Sequence, residues 1–383
     1  MKNDLRIPEH NTCQEETHNT YSNPDNTFRA DKTPVNQTKN KMMQVQEIAE
    51  TCKHLPERYV RKQEEEYRHF NTTYDPNNPK IADIPIIDFS ILTSSRIELD
   101  KLTSALSTWG CIQAVNHGIE SSFLEKLRET GKLFFKLPAD ERNKCLREEH
   151  DIEGYGNDNV LSDHQTLDWN DRLHLSVLPL HRRKYQFWPQ NPTHFREVLD
   201  EYCSKMELIN EFFLKAMAKS LNLDENCFWD QYGKTGTMNA RFNYYPACPW
   251  PEKVLGFKPH ADSTAITVLL QDKEIEGLQI LKDDQWFHVP IVNEALTINV
   301  GDQIQIMSNG IFKSPVHRVF VDSKRDRMTL AMICRPQTEK DIGPVEGLIT
   351  DKTPRLYKNV TMTTDFFFKY YQHGMRAIDA CKI

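Results

Sequence analysis

The stretch FKPHADSTAITVLL, residues 257–270, decides how this chain is read. Pro259 interrupts any helix ahead of His260 and Asp262, and the apolar, β-branched run that follows has the composition of a strand. On a strand, residues two apart project from one face, so His260 and Asp262 are predicted to grip one ion together. Working outward, LTINVGDQIQIMSN (296–309) and FKSPVHRVFV (312–321) place Gly-Asp and Asn-Gly turn signals between apolar runs, and His317 opens a further strand. Arg327 to Arg335 encloses MTLAMIC and reads as another. The segment is therefore expected to be all-β, with both histidines at strand edges or openings. Two imidazoles and one carboxylate leave the remaining positions of an octahedral Fe(II) open to an organic co-substrate and O2. Taken alone, a His-x-Asp triplet has an ordinary surface explanation; the strand context carries the metal reading.

Arg327 follows His317 by ten residues and stands two before Thr329, with Met328 between two side chains of one face. A planar guanidinium pairs bidentately with a carboxylate in a dry pocket and keeps its charge there, which suits an acidic co-substrate. The competing reading is a solvated Arg in the charged turn SKRDR at residues 323–327.

These residues do not stand alone. NYYPACPWP (243–251), the HAD triplet, WFHVP from Trp286, NVGDQIQIMSNGIFKSPVHRV from Asn299 and the RMT triplet at Arg327 resemble the core of plant 2-oxoglutarate and Fe(II)-dependent dioxygenases. In the N-terminal half, IPIIDFS from Ile84, WGCIQAVNHGI from Trp109, FFKLPADER from Phe134 and EGYGND from Glu153 are similar to the same family in the same order. The likeness spans residues 45 to 380 and extends to the broad group acting on specialised metabolites such as flavonoids and alkaloids. It implies His260, Asp262 and His317 as iron ligands, and Arg327 with Thr329 as the holders of the distal carboxylate of 2-oxoglutarate. Asn243 and Tyr245 match further co-substrate contacts. The family has Ser where this chain has Thr329, which keeps the hydroxyl donor and adds a methyl group. Tyr155, Arg241 and Ile333 resemble substrate-pocket positions.

The implied activity consumes 2-oxoglutarate and O2, yields succinate and CO2, and hydroxylates a small metabolite. Where the attacked carbon is a methoxy group the product loses formaldehyde, so hydroxylation and O-demethylation share one site. Ascorbate is the expected reductant. Desaturation, ring closure or a hormone-type acid substrate are alternatives using the same machinery. A binding protein that has lost turnover is a third reading, against which the intact His260, Asp262, His317 and Arg327 argue.

Composition bounds the rest. The 383 residues are 38% hydrophobic and 27% charged, as in a globular enzyme with a polar tail. A net charge of -7 argues against general nucleic-acid or anionic-membrane binding, either of which needs a basic face, so a small molecule is the expected partner; no heptad or symmetric patch stands out, which makes a monomer the default. There is no run of ~18 apolar residues to span a membrane, and no apolar leader follows MKNDLRIPEH. Nine cysteines are scattered without a Cys-x-x-Cys pair, a usage suited to a reducing cytoplasm, with the nucleus an additional location.

Residues 1–41 are Asn-, Thr- and Glu-rich without period and are expected to be a disordered tail. Residues 42–223 form a mainly helical N-terminal region, and 224–383 the catalytic jelly roll with a C-terminal helix. The spacing predicts helices over 43–70, 97–108, 121–137, 192–223 and 363–380, with strands at 84–89 and 109–116. After Asp224, short strands between Gly, Asp, Asn and Pro turns predict a double-sheet jelly roll whose mouth holds a ligand. The class is α+β: a double-stranded β-helix core with flanking helices and an N-terminal α/β region. His117, His174 and His288 have no acidic or imidazole partner at strand spacing and are read as hydrogen-bonded structural histidines.

Overall fold

Alternation along Arg327–Arg335 builds the centre of the molecule. In this computed structural model, which describes residues 43–61, 79–149, 151–158, 160, 165–338, 340–361, 366, 370 and 376–383, that strand pairs on both sides. The larger sheet has eight strands in the order β2 (Ile86–Asp88), β3 (Cys111–Val115), β11 (Leu296–Val300), β8 (Ile266–Leu270), β13 (Arg327–Arg335), β6 (Thr237–Tyr245), β5 (Asp171–Leu178) and β4 (Gly154–Gly156). The smaller has five, in the order β1 (Lys80–Ile81), β10 (Gln285–His288), β9 (Leu278–Lys282), β12 (His317–Val319) and β7 (Phe257–His260). These two sheets are the expected jelly roll.

The even-numbered residues of β13, Met328, Leu330, Met332 and Cys334, are all nearly inaccessible and join the main core with Phe242 and Ala240 of β6. That side is covered by helices α2 (Arg96–Thr108), α3 (Ser121–Lys136) and α5 (Phe195–Ser220), whose apolar stripes pack into the core. Ser95 caps α2 by accepting from the Glu98 N–H at 3.3 Å. Shorter helices α4 (Ala139–Asn143) and α6 (Cys227–Tyr232) follow α3 and α5.

Several expectations are corrected. The first helix, α1, runs only over Val45–Thr51, because Pro56 cannot donate and biases Leu55 away from helical geometry; residues 62–78 lie outside the described set. Its free N-terminal amides, Val45 and Gln46, donate to the two oxygens of buried Asp171 at 2.8 and 2.9 Å. DQIQIM is not a strand but helix α7 (Asp302–Met307); all six residues are buried, so its alternation carried no facial information. Residues 43–383 form one compact unit, and strands from both sides of residue 224 share each sheet. The boundary expected at 223–224 thus marks a change of element type within one body. The tail at 1–41 and most of the aromatic segment 363–380 also lie outside the described residues.

Candidate metal centre and co-substrate site

Strand pairing, not the alternation of a single strand, assembles the three metal-ligand candidates. β7 ends at His260, so Asp262 sits in the turn beyond it and not two along the same strand, as the sequence suggested. β12 runs antiparallel to β7 with His317 opposite His260, which brings the ring centroids to 4.2 Å. His260 Nε2 and His317 Nε2 lie 3.7 and 3.8 Å from Asp262 Oδ1. Those separations are too long for hydrogen bonds. They suit one ion held at about 2.1 Å from each atom.

Each imidazole is oriented from behind by the carbonyl two residues earlier: His260 Nδ1 is 2.9 Å from Lys258 O, and His317 Nδ1 is 3.2 Å from Pro315 O. Donation from Nδ1 leaves the Nε2 lone pair facing the cluster. Burial, reinforced by His317, pushes the His260 imidazole well below its ordinary value and keeps it neutral, the form a metal requires. Asp262 Oδ2 is buried and has no hydrogen-bond partner among the described residues. An unsatisfied buried carboxylate oxygen is costly, and a cation would satisfy it. The donor set fits Fe(II) on the geometry of this chain alone.

The turn that carries Asp262 is held by a second element. Asp302 N–H donates to Asp262 O at 2.7 Å, and Gly301 N–H to Ala265 O at 2.8 Å. A Cβ on Gly301 would stand 2.0 Å from Thr264 O and 2.9 Å from Asp262 O, so only glycine permits this approach. Arg376 Nη2 in turn donates to Asp302 Oδ1 at 2.8 Å.

On the larger sheet, register places Arg327 opposite Tyr245 and Thr329 opposite Asn243. The four predicted co-substrate residues therefore form one patch. Arg327 is buried, donates from Nε to Ile275 O at 3.0 Å, and lies with its guanidinium carbon 5.3 Å from the Tyr245 ring centroid. Burial lowers it from its ordinary value, although a guanidinium remains charged. Its Nη1 has no hydrogen-bond partner among the described residues. A buried donor left open beside a threonine hydroxyl is what a carboxylate ligand would complete. Asn243 Nδ2 lies 3.5 Å from Thr329 Oγ1. Gln271 Oε1, 3.5 Å from Arg327 Nη2, and Ile275 O were not foreseen as its supports.

The three pocket candidates separate. Arg241 lies on the same face as Asn243 and makes a two-point ion pair with Asp158 at 2.9 and 2.8 Å. Ile333 shares that face and is half-buried. Tyr155 does not reach it: the ring is fully buried against Phe134, with centroids 5.6 Å apart, because its β4 position points to the helices. Asp158 was missed in the sequence, since nothing local marks it; Arg172 also donates to it at 3.0 Å. Burial would raise the Asp158 carboxyl, but Arg241 and Arg172 outweigh that and hold it well below the usual carboxylate range.

His117 Nε2 meets Glu294 O at 2.9 Å and His288 Nε2 meets Gln279 Nε2 at 2.7 Å, both structural arrangements. His174 departs from the expectation. It is buried opposite Arg241, and its Nε2 has no hydrogen-bond partner among the described residues.

Two packed sheets, with a two-histidine, one-carboxylate cluster on one and an unsaturated buried arginine on the other, define a metal-dependent oxygenase that takes a 2-oxo acid. Comparison with known proteins agrees. Residues 236–336 match the 2OG-Fe(II) oxygenase superfamily, and residues 84–191 the family described as non-haem dioxygenase in morphine synthesis N-terminal. Codeine O-demethylase of Papaver somniferum is 37% identical over 320 residues, which covers 82% of this chain and 88% of that protein. Oxoglutarate-dependent flavonoid 7-O-demethylase 1 of Ocimum basilicum is 36% identical over 345 residues, covering 88% of this chain and 90% of the relative. The crystal structure of JOX2 in complex with 2OG, Fe and JA superposes with a TM-score of 0.79 at 31% identity, covering 89% of this chain and 98% of that one. The chain belongs to the 2OG-Fe(II) oxygenase superfamily and is a 2-oxoglutarate-dependent dioxygenase.

Proposed function

We propose that this enzyme hydroxylates or O-demethylates a small plant specialised metabolite of flavonoid or alkaloid type, with succinate and CO2 as co-products. The relatives named codeine O-demethylase, thebaine 6-O-demethylase and flavonoid 7-O-demethylase support the reaction and the substrate class. The observation that carries the reading is the convergence of the His260, Asp262 and His317 ligand atoms, in one compact unit with a buried Arg327 whose Nη1 has no partner among the described residues.

In this reading His260, Asp262 and His317 hold Fe(II), which when bound supplies the O2 chemistry. Arg327 and the Thr329 hydroxyl fix the distal carboxylate of 2-oxoglutarate, with Asn243 and Tyr245 shaping the same patch. The carbonyls of Lys258 and Pro315 keep both imidazoles in one tautomer. Ala331 and Ile333 present a small and an apolar surface to the primary substrate, and Arg241 borders it. The chain contributes positioning and electrostatics. Ascorbate serves as reductant. The enzyme acts as a cytoplasmic monomer without nucleic-acid or membrane partners, with the nucleus a further location; the free thiols at the described cysteines support a reducing compartment.

The test is anaerobic titration of the metal-free protein with Fe(II) and 2-oxoglutarate, monitoring the weak visible charge-transfer band of a chelated 2-oxo acid. The band should be lost in His260→Ala and weakened in Arg327→Ala. A wild-type protein that binds neither partner would overturn the assignment.

A further inference from the structure

Arg327 and Arg335 occupy opposite ends of one strand face. Eight residues separate them, about 26 Å along β13. Arg327 belongs to the co-substrate patch, and the mechanism leaves Arg335 unused. The Arg335 guanidinium is half-buried and donates from Nη1 to Asn239 Oδ1 at 3.1 Å, and among the described residues it makes no ion pair. Burial lowers it from its ordinary value while Asp262 acts in the opposite sense.

A second observation comes from β5. His174 is 7% exposed, stands in register with Arg241 on this face, and offers a buried Nε2 with no hydrogen-bond partner among the described residues. Burial first, then Arg172, Arg241 and Arg335, keep this imidazole well below its ordinary value. Arg241 stands opposite this imidazole on β6, and Arg172 lies two residues before it on β5. The carboxylate among them, Asp158, is committed to Arg241 and Arg172. Arg335 has no ion-pair partner among the described residues, and its partner Asn239 donates in turn to Ser176 Oγ at 3.1 Å, two residues from His174 on the same sheet face. Between Arg335 and the co-substrate patch, the face carries Ala331 and Ile333.

We propose that Arg335 and His174 form a subsite for an anionic oxygen group on the primary substrate, a carboxylate or an ionised phenol, whose apolar body lies over Ala331 and Ile333 toward the metal. This rests on the proposed function and narrows it: acidic metabolites are accepted and protonated amines are disfavoured. A half-buried cation without an ion-pair partner attracts an anion and repels a second cation. His174, neutral, presents Nε2–H to the anion in one tautomer.

The experiment uses the full chain loaded anaerobically with Fe(II) and 2-oxoglutarate, titrated calorimetrically with 2-naphthoate, its methyl ester and 2-naphthylmethylammonium. A charge-assisted hydrogen bond predicts that the acid binds at least about tenfold more tightly than the ester or the cation. Arg335→Gln should bring the acid to the level of the ester, and Arg335→Lys should restore part of the preference. 7-Hydroxycoumarin against 7-methoxycoumarin, at a pH where the phenol is ionised, distinguishes the two sources. A preference in either pair supports the subsite and names its group. Equal affinities within both pairs, tighter binding of the cation, or full preference retained in Arg335→Gln would overturn it. The charge-transfer band separates this failure from that of the wider reading: a band without charge preference sinks only the subsite, while an absent band in the unaltered chain sinks the function on which it rests.

Discussion

Arg327 and Asp158 show what single side chains contribute. Arg327 has one nitrogen committed to Ile275 O and another, Nη1, left for a ligand. Arg327→Ala should raise the dissociation constant for 2-oxoglutarate by about 100-fold, read by anaerobic titration, since it removes one partner of a buried charged pair. Thr329→Ser, which keeps the hydroxyl, should bind 2-oxoglutarate nearly as the parent does, whereas Thr329→Ala should lose about 1 kcal/mol. Asp158 supports fold and pocket together. Its folded pKa is depressed below the unfolded value of ~3.9, so its stabilisation is full above that value and is lost as pH falls below it. Asp158→Asn should cost roughly 1–2 kcal/mol near neutrality after allowance for its partial exposure. The gap in melting temperature from the parent should close below about pH 4, which a pH series of thermal melts would check. His260 with Asp262, and Arg327 with Thr329, were legible because each pair is close in sequence and distinctive in chemistry, whereas the distant His317 was legible only through the motif around it. Asp158, Arg335 and the open Nε2 of His174 were not, because each acquires meaning from a cross-strand partner.

At the level of elements, the strands and long helices followed the hydrophobic period, and the exceptions have physical causes. α7 alternates like a strand yet is buried on every side. α1 stops early at a proline signal present in the sequence but outweighed by the charged stretch beyond it. The prediction that His260 and Asp262 share a strand face paired the right residues through the wrong element: β7 ends first, and the turn is shaped by Gly301 and Asp302 behind it. Gly301→Ala should therefore displace the Asp262 backbone. Fe(II) affinity should fall by 10- to 100-fold, roughly the range for lost outer supports of a metal site, with secondary structure retained by circular dichroism. Unchanged affinity would show that the turn holds itself.

In the whole molecule, the N-terminal half is part of the catalytic sheet. β3 borders β11 and β5 borders β6, so residues 224–383 expressed alone would expose both flanks of β11-β8-β13-β6. Unpaired strand edges promote aggregation, and this fragment should be insoluble, or monomeric only with residues 43–223 supplied in trans, as size-exclusion chromatography would report. The pairing of β13 with β6 along its full length has a further consequence for how such an enzyme can change. Odd positions of β13 carry the candidate site residues while even positions join the core under the helices, so site and interior are interleaved residue by residue. New specificities are open through odd-numbered substitutions without disturbing the interior. A single inserted residue, by contrast, would exchange the two roles at a stroke and forfeit both.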